Sequence, residues 1–172
     1  MNSDSTILLL IAALTLAIMG LIYGFFRSRQ TLPPTQQKGG FDTLPLRLQA
    51  YERLVLLTER IALPNLISRL HNPAASLPEM KVLLTETIKQ EFAYNSTQQL
   101  YVSASAWESV RQLKEQNILL INQVAASLDE GSGSSALNKK IMELLLSQEQ
   151  EPLHDVVTML LNREAKQLMD QD

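Results

Sequence analysis

The chain offers few residues for metal binding or acid-base chemistry. It contains two histidines and no cysteine, which excludes disulfides and thiolate chemistry. His71 and His154 lie far apart in the sequence, and neither belongs to a set of ligands with the spacing of a common metal motif. We therefore expect both imidazoles to be solvated, and we predict neither a metal nor a cofactor.

Three carboxylates are the next candidates for chemistry. Glu86, Glu91 and Glu108 fall near predicted boundaries between helices, where two of them could share a proton. No second acid stands at a diagnostic spacing, so solvated helix faces and helix-end charges explain these residues better. The Gly-Ser segment at 131–135 lacks the following lysine and preceding strand of a phosphate loop. The sequence predicts no catalytic residue and no enzyme.

A polar and aromatic stretch, residues 92–107, differs in composition from the rest of the chain. Tyr94, Tyr101 and Trp107 lie there among several Asn, Ser and Gln residues. Aromatic rings beside amide side chains suit contacts with a protein partner, so these three residues form the predicted partner surface. The alternative is a connector whose own polar side chains satisfy its backbone.

The elements that carry these residues are predicted to be helices. Apolar residues spaced by three and four from Leu44 to Ala62 indicate a helix, which Pro64 interrupts before a short second helix. Ser76 and Glu79 form a capping-box pattern ahead of a helix over 77–94. Residues 100–102 are predicted to form a short extended link.

The C-terminal half continues the helical pattern. Ser105 and Glu108 suggest a second capping box, opening a helix that ends near Ser127 or Leu128. Residues 129–135 are predicted to be a flexible break, followed by helices over 136–148 and 152–169. The inward side of the last helix is predicted to comprise Leu153, Val156, Val157, Leu160, Leu161 and Leu168. The fold class is therefore all-α, with a small multi-helix bundle over 44–172.

An uncharged apolar run precedes this bundle. Ile7–Phe26 comprises twenty residues, enough for a helix of about 30 Å, the hydrocarbon thickness of a bilayer. We predict a single-pass transmembrane anchor over 1–27 and a flexible tether over 28–43. Arg27, Arg29 and Lys38 all follow the run, which places the C-terminal bundle in the cytoplasm and the anchor in the inner membrane.

Small residues recur along one side of the predicted anchor. Ala13, Ala17, Gly20 and Gly24 are separated by four, three and four residues, a spacing that allows two transmembrane helices to pack closely. They are the predicted residues of transmembrane self-association. Ordinary transmembrane composition is the alternative explanation.

The charge distribution argues against nucleic acid as a partner. The formal net charge is −3, and residues 129–172 carry nine acidic and four basic side chains. Nucleic-acid binding requires a basic stripe, which this acidic end does not provide.

Two stretches of the sequence carry a resemblance to a known kind of protein. RLQAYERLVLLTERI at 47–61 and QEFAYNSTQQLYVSASAWESV at 90–110 resemble an uncharacterised family of short bacterial proteins. The resemblance implies one N-terminal transmembrane helix and a helical body, and it transfers no functional residue. The leading hypothesis is a non-catalytic membrane-anchored scaffold that binds a protein partner or itself. The alternative is a helical module that senses a small molecule or lipid.

Overall fold

A computed structural model describes residues 42–129, 131–147 and 151–170 of the chain. Over these residues the elements are six α-helices and one short 3-10 helix. In chain order they are α1 (Leu44–Ile61), α2 (Leu63–Arg69), α3 (Leu77–Tyr94), the 3-10 helix (Ser96–Leu100), α4 (Ala104–Ala126), α5 (Ser134–Ser147) and α6 (Leu153–Met169). The all-α prediction is confirmed for the described part of the chain, which contains no strand beyond an isolated bridge.

Pro64 separates α1 from α2, as its missing backbone N–H predicts. Helix α1 ends at Ile61, and α2 carries Pro64 in its first turn. The break leaves two backbone carbonyl groups without a helical N–H donor, and side chains donate hydrogen bonds to them instead. Arg69 Nη2 donates to the carbonyl of Arg60 at 3.2 Å, and Asn117 Nδ2 of α4 donates to the carbonyl of Ile61 at 2.8 Å. The break is thereby tied directly to α4.

The capping box predicted for α3 is confirmed. The Ser76 hydroxyl accepts the Glu79 N–H at 3.4 Å, and the Glu79 carboxylate accepts the Ser76 N–H at 2.8 Å. These two bonds satisfy backbone groups that the first helical turn leaves without partners. The helix runs over Leu77–Tyr94, the range predicted from its apolar period.

The cap predicted for α4 is wrong. Ser103 and not Ser105 precedes the helix, and the Ser103 hydroxyl accepts the Ala106 N–H at 2.9 Å. Glu108, which the predicted box required, accepts from Arg111 Nε at 2.7 Å instead. The helix therefore begins one residue before the predicted cap.

The extended link predicted for residues 100–102 is also wrong. The chain forms the 3-10 helix Ser96–Leu100 directly after α3. The Gln98 N–H donates to the Asn95 carbonyl and the Tyr101 N–H donates to the Gln98 carbonyl, both at 3.0 Å. These local bonds satisfy the backbone without a neighbouring strand, which explains why a tight turn replaces the extended segment.

The segment predicted as a flexible break ends in a buried attachment point. Ser134, the first residue of α5, is fully buried. Its hydroxyl donates to the Asn72 carbonyl at 2.7 Å, and its N–H donates to the Ala75 carbonyl at 3.1 Å. Gly133 also forms an isolated bridge with Ser76. The prediction was wrong for this end of the segment, which is fixed to the loop before α3.

Helix α6 buries only part of its predicted inward side. Val157, Leu161 and Leu168 are buried, whereas Leu153 is 36% and Val156 43% exposed. The prediction was wrong for Leu153 and Val156. The buried residues follow a spacing of four and seven, so a narrower stripe of the helix faces the core.

The α-helices of the described residues pack around a hydrophobic core. Its largest fully buried side chains are Leu54, Leu57, Ile61, Leu66, Met80, Leu84, Ile88, Leu113, Ile121, Leu137, Ile141 and Leu161. They come from all six α-helices, so each helix contributes to a single hydrophobic core.

The predicted membrane segment lies outside the described residues, as do the predicted self-association residues Ala13, Ala17, Gly20 and Gly24. Among the helices that are described, none is both long enough and apolar enough to cross a bilayer.

Replacing Asn117 by Ala should lower the free energy of unfolding by about 1 to 3 kcal/mol. The substitution leaves the carbonyl of Ile61 buried without its donor. Urea unfolding of the full chain in detergent micelles, followed by the fluorescence of its one tryptophan, measures the change. Asn122→Ala is the matched control, because Asn122 is exposed on the same helix and should shift stability by less than about 0.5 kcal/mol. Equal effects of both substitutions would contradict a role for the Asn117 bond.

Candidate functional site

An open groove lies between α1 and α3. Its volume is about 510 Å³, and the side chains along it include Arg53, Leu56, Arg60, Gln90, Glu91 and Tyr94. Arg60 contacts Glu91 while Arg53 contacts Tyr94, so the two helices run in opposite directions along the groove. We call this feature the α1–α3 groove.

The α1–α3 groove exposes two large side chains that a folded core would normally bury. Leu56 is 55% exposed, and Tyr94, the last residue of α3, is 74% exposed. The Arg53 guanidinium lies 5.9 Å from the centre of the Tyr94 ring, within range of a cation–π contact. Leucine, tyrosine and arginine at one surface combine apolar area with polar contacts.

A charged cluster forms the other end of the groove. Glu91 accepts a hydrogen bond from Arg60, and Arg69 Nη2 lies 3.7 Å from the same carboxylate oxygen. The hydrogen bond from Arg60 holds the pKa of the Glu91 carboxyl below its ordinary value, against the opposing effect of burial. Within the described residues, Arg53 has no carboxylate at ion-pair distance. The groove therefore presents net positive charge.

Tyr94 and Trp107, predicted to share one partner surface, occupy different surroundings. The Trp107 ring is partly buried, with its centre 4.9 Å from that of Phe92. Lys114 Nζ lies 4.6 Å from the centre of the same Phe92 ring. Phe92 and Tyr94 are two residues apart on α3 and so face directions about 200° apart. Trp107 thus packs beside the α3–α4 contact and Tyr94 borders the α1–α3 groove.

Tyr101 occupies a third position. It follows the 3-10 helix and is 40% exposed. The structure thus distributes the three predicted residues over the end of α3, the turn after the 3-10 helix and the start of α4. Their role in binding stays a prediction, and of the three only Tyr94 lies along the groove.

The profile of a family of unknown function (DUF7935) matches residues 3–168. The chain belongs to this family. The match confirms the resemblance to an uncharacterised family, and the bacterial source and transmembrane helix implied by that resemblance stay predictions. No curated protein and no solved structure matches the chain.

A second polar cluster joins three helices of this family member. The Tyr51 hydroxyl of α1 donates to Glu164 of α6 at 2.7 Å, and the Ser103 hydroxyl donates to the same carboxylate oxygen at 2.6 Å. The Ser103 N–H donates to the Tyr51 hydroxyl at 3.1 Å. Burial, and then the Glu164 carboxylate, raise the pKa of the Tyr51 hydroxyl. Each group already has its partner, so the cluster fastens α1, α4 and α6 together.

Sequence reasoning missed both Ser103 and the arginines of the groove. The partners of Ser103 lie 52 and 61 residues away in the sequence, beyond the range of any local pattern. Arg53, Leu56 and Arg60 do carry a detectable signal, because their spacing of three and four places them on one outward side of α1. In the sequence alone the same spacing is equally typical of a solvated helix face. The groove becomes visible only when α3 lies beside α1.

The carboxylates first considered for chemistry are each bound by a basic residue. Glu86 lies 2.7 Å from Lys89 Nζ, and Glu108 accepts two hydrogen bonds from Arg111. The hydrogen bonds from Arg111 lower the pKa of the Glu108 carboxyl. Together with Glu91 and Arg60, these pairs place each acid against a cation. None of the three therefore resembles a carboxylate that shares a proton with another acid.

The histidines lie on two separate surfaces. His71 is exposed in the loop after α2, and His154 Nε2 lies 3.3 Å from Asp155 Oδ1 in the first turn of α6. Across residues 42–129, 131–147 and 151–170, no group of three potential metal ligands comes together.

A smaller apolar cleft lies beside the α1–α2 break. It has a volume of about 220 Å³ and is lined chiefly by leucines and prolines, including Leu63, Pro64, Leu120 and Leu153. Pockets that enclose a small molecule usually measure about 300 to 1,000 Å³. The cleft is therefore small for a ligand of that size.

Replacing Glu91 by Gln should flatten the acid side of the stability profile. Because folding lowers the pKa of this carboxyl, its contribution is complete above the ordinary value of 4.5 and is lost as the pH falls through the lower folded-state value. We expect a loss of about 1 kcal/mol at pH 7 and a smaller fall in stability towards pH 3 than in the natural protein.

Urea unfolding of the full chain in micelles at the two pH values measures this difference. Glu86→Gln is the matched control, since Glu86 is an exposed carboxylate on the same helix. A Glu91→Gln profile parallel to that of the natural protein at all pH values would contradict the assignment.

Proposed function

We propose that this protein is a membrane-anchored, non-catalytic interaction protein whose helical bundle binds other proteins at the cytoplasmic face of the membrane and so acts as a scaffold. The observation that carries the proposal is the α1–α3 groove, which exposes Leu56 and Tyr94 beside Arg53.

The composition of the groove suits a protein partner. Tyrosine and arginine are enriched among residues that dominate binding energy, and an exposed leucine adds apolar area without a hydration requirement. Two antiparallel helices with an open channel between them form the kind of surface that receives a third helix. The groove thus has the chemistry and shape for helix-in-groove recognition.

Binding is favoured over catalysis by the state of the acidic residues. Glu86, Glu91 and Glu108 are each paired with a cation, and lowered pKa values at Glu91 and Glu108 favour their ionised forms. A general acid at neutral pH needs the opposite shift. The ionised, paired state of these three carboxylates is typical of structural ion pairs.

The anchor is supported by the sequence and by the extent of the family match. Ile7–Phe26 is uncharged and long enough to span a bilayer, and Arg27, Arg29 and Lys38 follow it. The matched residues, 3–168, include this segment together with the helices. A family member therefore combines the apolar segment and the helical bundle in one chain.

The second candidate function is the sensing of a small molecule or lipid. The apolar cleft beside Pro64 is the feature that favours it. Its volume of about 220 Å³ would hold only a small ligand. The α1–α3 groove therefore favours the binding of a protein over the sensing of a small molecule.

A topology experiment tests the membrane part of the proposal. Alkaline phosphatase fused after Asp172 should be inactive, and a fluorescent protein that matures in the cytoplasm should be bright at the same position. The basic residues after the apolar run resist translocation, which gives the direction of this expectation. An active phosphatase would overturn the cytoplasmic placement.

Crosslinking in native membranes tests the binding part. Tyr94→Ala should remove the protein crosslinks while leaving stability within about 0.5 kcal/mol, because Tyr94 is 74% exposed. Trp107→Ala is the comparison. It should lower the free energy of unfolding by about 3 kcal/mol, because the ring packs on Phe92 and the core. Unchanged crosslinks in folded Tyr94→Ala protein would contradict the groove as the binding surface.

A further inference from the structure

The first turns of α6 expose an apolar surface. Val156 and Met159 are 43% and 52% exposed and lie three residues apart on the helix. Such spacing keeps these two side chains near one side of the helix, whereas Leu153 stands four residues before the buried Val157 and shares its side. A different side of α6 is buried through Val157 and Leu161. The segment therefore has a second apolar side that its own core does not cover.

The same segment is acidic. Glu151 is exposed, and the Asp155 side chain is 49% exposed. Residues 151–159 contain no lysine or arginine; the first basic residue beyond them is Arg163. We call residues 151–159 the α6 acidic face, in which Glu151 and Asp155 accompany the exposed side chains of Val156 and Met159.

The α1–α3 groove is complementary to the α6 acidic face. Leu56 and Tyr94 offer apolar area, while Arg53 offers a guanidinium that lacks a carboxylate partner within the described residues. A second arginine, Arg60, is 53% exposed beside Glu91. An acidic helix with apolar side chains thus matches both the charge and the apolar character of the groove.

A copy of the chain cannot place its own α6 in its own groove. Tyr51 faces α6, because its hydroxyl donates to Glu164, whereas Arg53 faces the groove. These two residues of α1 point about 200° apart, so α1 stands between α6 and the groove. The buried stripe of α6 holds the helix in that position. The occupant must come from another molecule.

We propose that the α1–α3 groove binds the α6 acidic face of a second copy of this chain. The inference rests on the proposed function and names the partner of the same groove. Each contact joins two different surfaces, so two copies that exchange the contact reciprocally form a closed dimer with twofold symmetry. Such a dimer covers both surfaces that one copy leaves open.

Charge reversal provides the decisive test. The full chain is reconstituted in phosphatidylcholine vesicles with the photoreactive residue benzoylphenylalanine in place of Leu56, and crosslinked peptides are mapped by mass spectrometry. We expect a crosslink from this position to residues 151–159 of a second copy. Arg53→Glu alone and Asp155→Arg alone should each reduce it about five- to tenfold, because each places like charges together.

Mixing the two variants should restore the crosslink. An Arg53→Glu copy keeps Asp155, and an Asp155→Arg copy keeps Arg53, so both contacts of the mixed dimer again join opposite charges. Glu52→Arg is the control, since Glu52 is exposed on α1 about 100° from Arg53 and should leave the crosslink unchanged. Circular dichroism of each variant checks that the helices are retained, and the neutral pair Arg53→Gln and Asp155→Asn replaces any variant that fails to fold.

The outcomes separate this inference from the proposed function. A crosslink to another part of the second copy, or a mixture that restores nothing, overturns the α6 assignment. In native membranes, crosslinks from position 56 only to a different protein overturn the second copy as partner and leave the proposed function supported. Crosslinks only to lipid, or none in either setting, overturn both. Association through the apolar segment alone does not produce a crosslink to residues 151–159.

Discussion

The missing N–H of Pro64 is the constraint on which the arrangement of the helices depends. It ends α1, and the carbonyls of Arg60 and Ile61 must then find donors outside the helix. Arg69 supplies one and Asn117 the other, which fixes α2 against α1 and the break against α4. Arg60 and Arg69 both reach Glu91 from this bend. The break at Pro64 thus brings Arg60 and Arg69 together beside Glu91, at the charged end of the α1–α3 groove.

The bundle covers α1 on several sides and leaves one side open. Tyr51, Leu54 and Leu57 are buried, while Leu56 points outward beside Arg53. Burial is roughly proportional to the apolar area removed from water, so an exposed leucine beside an exposed tyrosine gives up stabilisation that a partner could recover. The same reasoning applies to the outer side of α6. The α1–α3 groove is basic and the outer side of α6 is acidic. Incomplete packing of a core would not produce this difference in charge.

Local patterns predicted the helices better than they predicted the contacts between them. The Ser76 capping box and the range of α3 were confirmed, because both depend on bonds within four residues. Ser105 was wrong as the cap of α4: only Ser105 has a glutamate three residues later, but serine is favourable at an N-cap in either position and only Ser103 also bonds Tyr51 and Glu164. The flexible break was wrong at Ser134 because its hydroxyl binds the distant Asn72 carbonyl. Tyr94 and Trp107 were grouped by proximity in the sequence, but they lie on different helices, and Trp107 packs on Phe92, which points about 200° away from Tyr94 on α3.

By itself the sequence determined the all-α class, the break at Pro64, the main buried stripes and the absence of cysteine chemistry, because these follow from residue type and helical period. Only the tertiary structure decided which outward faces meet. It placed α3 beside Arg53 and Arg60 to form a groove, and it turned Val156 of α6 away from the core. Periodicity gives the direction of a side chain relative to its own helix axis. The position of a neighbouring helix depends on packing among residues that are distant in the chain, and no single helical pattern contains that information.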